Sequence, residues 1–128
     1  MYLLDTNVCI DFLTAQSATL AARMNAAFGR LSISAVTFAE LAVGSHRSDN
    51  PVEDARRVDA FAAGLDVLPF DQAAARTYGT AARALGVRRK SFDLLIGAHA
   101  LSRDLTLITS NTADFADIPG LRIENWTL

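Results

Sequence analysis

The chain has 128 residues, 51% of them hydrophobic, which suits one domain with a sizeable core. A formal net charge of −2 excludes a polycation that coats nucleic acid, so any such contact needs a local basic patch. The single cysteine, Cys9, excludes an internal disulfide, and charges or glycines break every apolar run before it reaches the length of a membrane span.

The opening residues lack a basic stretch followed by an apolar run, and Asp5 interrupts them at once, which predicts no secretion signal and a cytoplasmic chain. Residues 2–4 read as a short buried strand and residues 6–13 as a helix. Cys9, between Val8 and Ile10, reads as a small buried hydrophobe. Residues 17–28 are alanine-rich and helical, stopped by Gly29. A strand over 31–33 leads to Ser34, a helix cap, and a helix over 35–43 that Gly44 is expected to end. The polar stretch 45–51 reads as an exposed loop containing His46. Pro51 opens the next helix, to about Ala63. A third strand covers 66–68, and Asp71 caps a helix to Leu85. Ser91 caps another, from Phe92 to about Ser102. Strands over 105–109 and 121–123 complete the pattern, with Trp126 packing the end against the core. Strands that alternate with helices predict an α/β fold, a parallel sheet covered on both faces.

Four acids lie in or beside apolar runs: Asp5, Glu40, Asp93 and Asp114. A carboxylate near a core is costly unless its charge is compensated, and a divalent cation compensates several at once. Asp5 falls at a strand end and Asp114 in the loop after another, with Ser110 and Asn111. Ligands of such sheets bind beyond those ends. Glu40 stands out most. Its helix is apolar nearly all round, and the exceptions, Thr37 and Glu40, are spaced i, i+3 on one face that must line a cleft or a partner. Taken singly, Asp5 and Asp93 also read as helix-start acids and Asp114 as a turn residue; four together at one sheet edge do not read as coincidence.

The order and local motifs resemble those of the PIN-domain ribonucleases, and within them the VapC-type toxins of toxin–antitoxin pairs, over nearly the whole chain. Leu3-Leu4-Asp5-Thr6-Asn7 is similar to the first motif. Residues 33–41, Ile-Ser-Ala-Val-Thr-Phe-Ala-Glu-Leu, are similar to the second. Residues 93–100, Asp-Leu-Leu-Ile-Gly-Ala-His-Ala, are similar to the third, and residues 108–115 with 118–126 to the C-terminal end. Many members of the family carry an acid nearer Asn111, whereas here it comes three residues later. Asp114 is taken as the fourth acid and Asn111 as its polar neighbour.

The resemblance implies a parallel-sheet α/β/α sandwich and cleavage of RNA. It also implies a VapB-type antitoxin partner that blocks the site, and a homodimer. Asp5 and Asp93 are then expected as ligands of Mg²⁺ or Mn²⁺, hard cations that take oxygen donors. Glu40 and Asp114 are expected to act through water, with Thr6, Asn7, Thr37, Ser110 and Asn111 in support. Arg88, Arg89 and Lys90, just before the Asp93 helix, are candidates to hold RNA phosphates, or are a solvated turn. Two rivals compete. A receiver-like signalling domain also binds Mg²⁺, but it needs an adjacent acid pair after the first strand, and Asp5 has Leu4 and Thr6 as neighbours. A PIN-fold module that binds without catalysis would not need the full acid set.

Overall fold

The computed structural model describes residues 1–86 and 91–128. Among the described residues, five parallel strands, β1 (Tyr2–Leu4), β2 (Leu31–Ser34), β3 (Asp66–Leu68), β4 (Thr106–Ile108) and β5 (Ile123–Glu124), form one sheet in the order β3-β2-β1-β4-β5. The connections are helical: α1 (Thr6–Leu13), α2 (Ala18–Ala26), α3 (Ala35–His46), α4 (Pro51–Ala63), α5 (Gln72–Leu85), α6 (Phe92–Ser102) and α7 (Thr112–Phe115). A receiver domain orders its strands 2-1-3-4-5. The order found here removes that rival.

The pleat divides the core in two. Leu4, Leu31, Ile33 and Ile108 point to one face and pack with α1, α2, α4 and Trp126. Leu3 and Leu107 point to the other and pack with α5, α6 and Phe115. Alternate residues of a strand face opposite sides, so each short strand serves both cores. Ser32 and Ser34 therefore face away from Leu31 and Ile33. Cys9 and Trp126 are buried, as expected. Trp126 meets Tyr2 edge to face at 4.8 Å between ring centroids.

Two local expectations change. Gly44 does not end α3, which runs on to His46, so Ser45 is buried and bonded to the Leu41 carbonyl rather than lying in a loop. A single glycine inside a packed helix costs too little to stop it. Asp114 lies in a short helix, α7, rather than a loop. Gly97 on α6 leaves room for the Ile118 side chain, since a Cβ there would stand 2.6 Å from the Ile118 Cδ1. Among the described residues no helix is long and apolar enough to cross a membrane.

Candidate active site

The strand order reverses between β1 and β4, and the carboxyl ends of these two strands open the crevice where α/β sheets bind ligands. Asp5 follows β1 there and Thr109 follows β4. Asp5 caps α1: its Oδ1 accepts the Val8 N–H at 2.8 Å. Its Oδ2 accepts the Thr109 hydroxyl. Asp5 is only 2% exposed, and among the described residues no cation pairs with it. Burial raises its pKa above the ordinary carboxylate value. The two hydrogen bonds oppose that rise, while the charges of Asp93 and Asp11 add to it.

A second group reaches the same corner from α3. Thr6 Oγ1 lies 2.7 Å from Glu40 Oε1 and 3.2 Å from Thr37 Oγ1. A hydroxyl has one proton to give, and the carboxylate has none. Thr6 therefore donates to Glu40, and Thr37, fully buried, supplies its own proton to Thr6. The polar stripe expected on α3 is thus answered by the first residue of α1.

Asp93 enters from the first turn of α6, whose N-cap Ser91 accepts the Leu94 N–H. It is half-buried and close enough to Asp5 for their charges to repel. Asp114 is exposed on α7. That helix is anchored by Phe115 beside Gly97, one turn after Asp93. Asn111 begins α7 without a side-chain cap, and its N–H donates to Thr109 Oγ1. Ser110 is half-buried. Asn7 is exposed, with no side-chain hydrogen bond among the described residues. Arg88, Arg89 and Lys90 lie outside the described residues.

Two contributors escaped the sequence reading. Thr109 is fully buried and supplies the hydroxyl on Asp5; its only signal was its place beside Ser110 at a strand end. Asp11, on α1, adds to the negative potential at Asp5 and gave no signal beyond its charge. Among the described residues no three His, Cys, Asp or Glu side chains come close enough to hold an ion by themselves. The grouping is a pair, Asp5 with Asp93, beside a hydrogen-bonded Glu40.

The PIN domain family model matches residues 2–121. A tRNA(fMet)-specific endonuclease VapC of Shigella flexneri is 36% identical over 129 residues, covering 98% of each chain. The crystal structure of DNA-bound VapBC from Salmonella typhimurium superposes with a TM-score of 0.91 at 34% identity, over 98% of this chain and 97% of that one. That of VapBC-1 from nontypeable Haemophilus influenzae gives 0.89 at 30% identity, over 99% and 98%. The match spans the first strand, the acid-bearing helices and the β4–α7 segment alike, and the chain belongs to the PIN-domain family, in its VapC branch.

Proposed function

We propose that this chain is the toxin of a type II toxin–antitoxin pair, an endoribonuclease that hydrolyses RNA phosphodiester bonds beside Asp5 and Asp93 with Mg²⁺ or Mn²⁺. The observation that carries this reading is Asp5: a buried carboxylate at the switch point, met by neutral donors and facing a second acid. A divalent cation fits that pair, because the donors are all oxygen and the ion cancels the repulsion that burial enforces. Two carboxylates leave room for water and phosphate oxygens, a shell that Mg²⁺ favours.

The ion, when bound, supplies charge for the phosphoryl oxygens and acidifies water. The chain's own groups do the rest. Val8 N–H and Thr109 hold both oxygens of Asp5 in place. Thr6, fixed by Thr37, holds one oxygen of Glu40 and leaves the other to orient the attacking water. Asp114 orients water from the β4 side. The relatives named VapC nucleases and the structures of VapBC complexes support RNA as substrate and a VapB-type antitoxin as the inhibiting partner. A homodimer follows from the same resemblance.

The test is purified protein with labelled RNA in Mg²⁺ or EDTA, comparing wild type with Asp5→Asn and Asp93→Asn. Cleavage that survives EDTA removes the metal; a variant as fast as wild type removes that residue. Expression without its neighbouring gene should arrest growth, and co-expression of that gene should relieve the arrest. Harmless expression and no small partner would refute the toxin assignment.

A further inference from the structure

His99 is a titratable group buried away from the acids, and the site just described does not use it. It lies on α6, six residues after Asp93, with no exposed surface. Its Nδ1 is 2.8 Å from Ser34 Oγ. Ser34 stands at the corner where β2 becomes α3, and its Oγ already accepts the Val36 N–H as the α3 cap. The hydroxyl then has one proton left to give, and Nδ1 is the acceptor in reach. That network assigns the neutral tautomer with the proton on Nε2. Nε2 itself is buried, with no hydrogen-bond partner among the described residues. The imidazole and the Phe70 ring stand nearly perpendicular, at 81°, with centroids 5.3 Å apart. An apolar residue would fill this space without leaving a buried nitrogen unpaired.

We propose that His99 is a positioning residue for the nuclease site: by accepting the Ser34 proton it ties the start of α3, which presents Thr37 and Glu40, to α6, which presents Asp93. The inference rests on the reading of those acids as the working ones. One hydrogen bond spans the two elements that must keep Glu40 and Asp93 in register. Protonation undoes it. An imidazolium has N–H on both nitrogens, so Ser34 would have to accept twice and its own proton would lose its acceptor. Burial already disfavours that charge and lowers the imidazole pKa; Asp71, at the α5 cap, partly offsets this, and Arg103, at the α6 end, adds to it. At the β2–α3 corner the ring meets the neutral Ser34 hydroxyl.

Three proteins test this: wild type, His99→Leu, which fills the space without an acceptor, and His99→Asn, which keeps an acceptor at the Nδ1 position and does not titrate. The RNA assay in Mg²⁺ gives kcat and KM from pH 5 to 8, and the imidazole nitrogen shifts of ¹⁵N-labelled wild type give the tautomer. The expected result is Nε2–H at neutral pH, with kcat down about tenfold or more in the leucine protein and KM little changed. Asparagine should restore most of the rate and lose the histidine ionisation from the acid limb. An Nδ1–H tautomer, or a folded leucine protein with wild-type kcat, overturns the proposal. If leucine does not fold, asparagine decides: near-wild-type kcat at neutral pH with a flattened acid limb supports the role, and a wild-type acid limb overturns it. Wild type that cleaves no RNA overturns the ribonuclease reading instead, and the tautomer measurement still judges the Ser34–His99 link.

Discussion

The corner beneath Asp5 and the tip around Asp114 follow adjacent strand ends, yet they are built differently. At the corner, Asp5 and Thr109, 104 residues apart, share a buried hydrogen bond. Thr6, Thr37 and Glu40 form a chain between α1 and α3. At the tip, Asn111, Thr112 and Asp114 are exposed, and α7 starts without a side-chain cap. Preorganised groups need no rearrangement when charge develops, whereas exposed ones must be ordered by what they bind. On the proposed reading of the site, the corner is its fixed half and the tip is its exposed half.

The largest effect should come from the centre of the fixed half. Asp5→Asn should lower RNA cleavage by about a thousandfold or more, since it removes a ligand charge from the ion that would act on the reacting phosphate. The same change should stabilise the metal-free fold. Folding raises the Asp5 pKa, so its favourable contribution is complete below the unfolded carboxylate pKa and is lost as pH rises through the folded value. Ionising Asp5 without metal places a buried charge beside Asp93, which the fold disfavours. Asparagine keeps the Val8 cap and turns its amide to the Thr109 oxygen. Melting in EDTA should show Tm up by about 3–5 °C, the size of a ~1 kcal/mol gain at this length. The gain should grow as pH rises above the ordinary carboxylate range. A variant that melts lower at every pH would mean that Asp5 serves the fold before the chemistry.

The next effects come from groups that hold the acids. Thr109→Val leaves one oxygen of Asp5 without its donor and the Asn111 N–H without an acceptor. Cleavage should fall about 10–100-fold, the range for partners that orient a metal ligand, and more Mg²⁺ should be needed for half-maximal rate. Thr6→Val frees Glu40 and Thr37 together. It should cost about tenfold in kcat, the low end of that range, with the Mg²⁺ requirement unchanged. A shifted Mg²⁺ requirement for Thr6→Val would place Glu40 among the ligands.

The sequence showed the corner in outline and missed its fastenings. Strand alternation and an acid at the first strand end were enough to locate Asp5, because burying a charge needs a reason that composition already reveals. Glu40 was legible as the polar break in an apolar helix. Thr109 was not, because a threonine at a strand end has the same local pattern whether it donates to an acid or merely packs. The Ser34–His99 contact joins positions 65 apart, and no helical or strand period links them. The α3 boundary was misread because the glycine signal at Gly44 is local, whereas the packing that carries the helix to His46 comes from α4.

The smallest effect tests the open half. Asp114→Asn should slow cleavage by about tenfold at most, because an exposed acid acting through water contributes less than a buried one. Asn111→Ala should cost less again, about threefold, since its N–H to Thr109 survives the change. The pair decides which residue works from the β4 side. A greater loss from Asn111→Ala would transfer the role to Asn111. A loss in Asp114→Asn as deep as that of Asp5→Asn would mean that the tip is as fixed as the corner, and the contrast between the halves would fail.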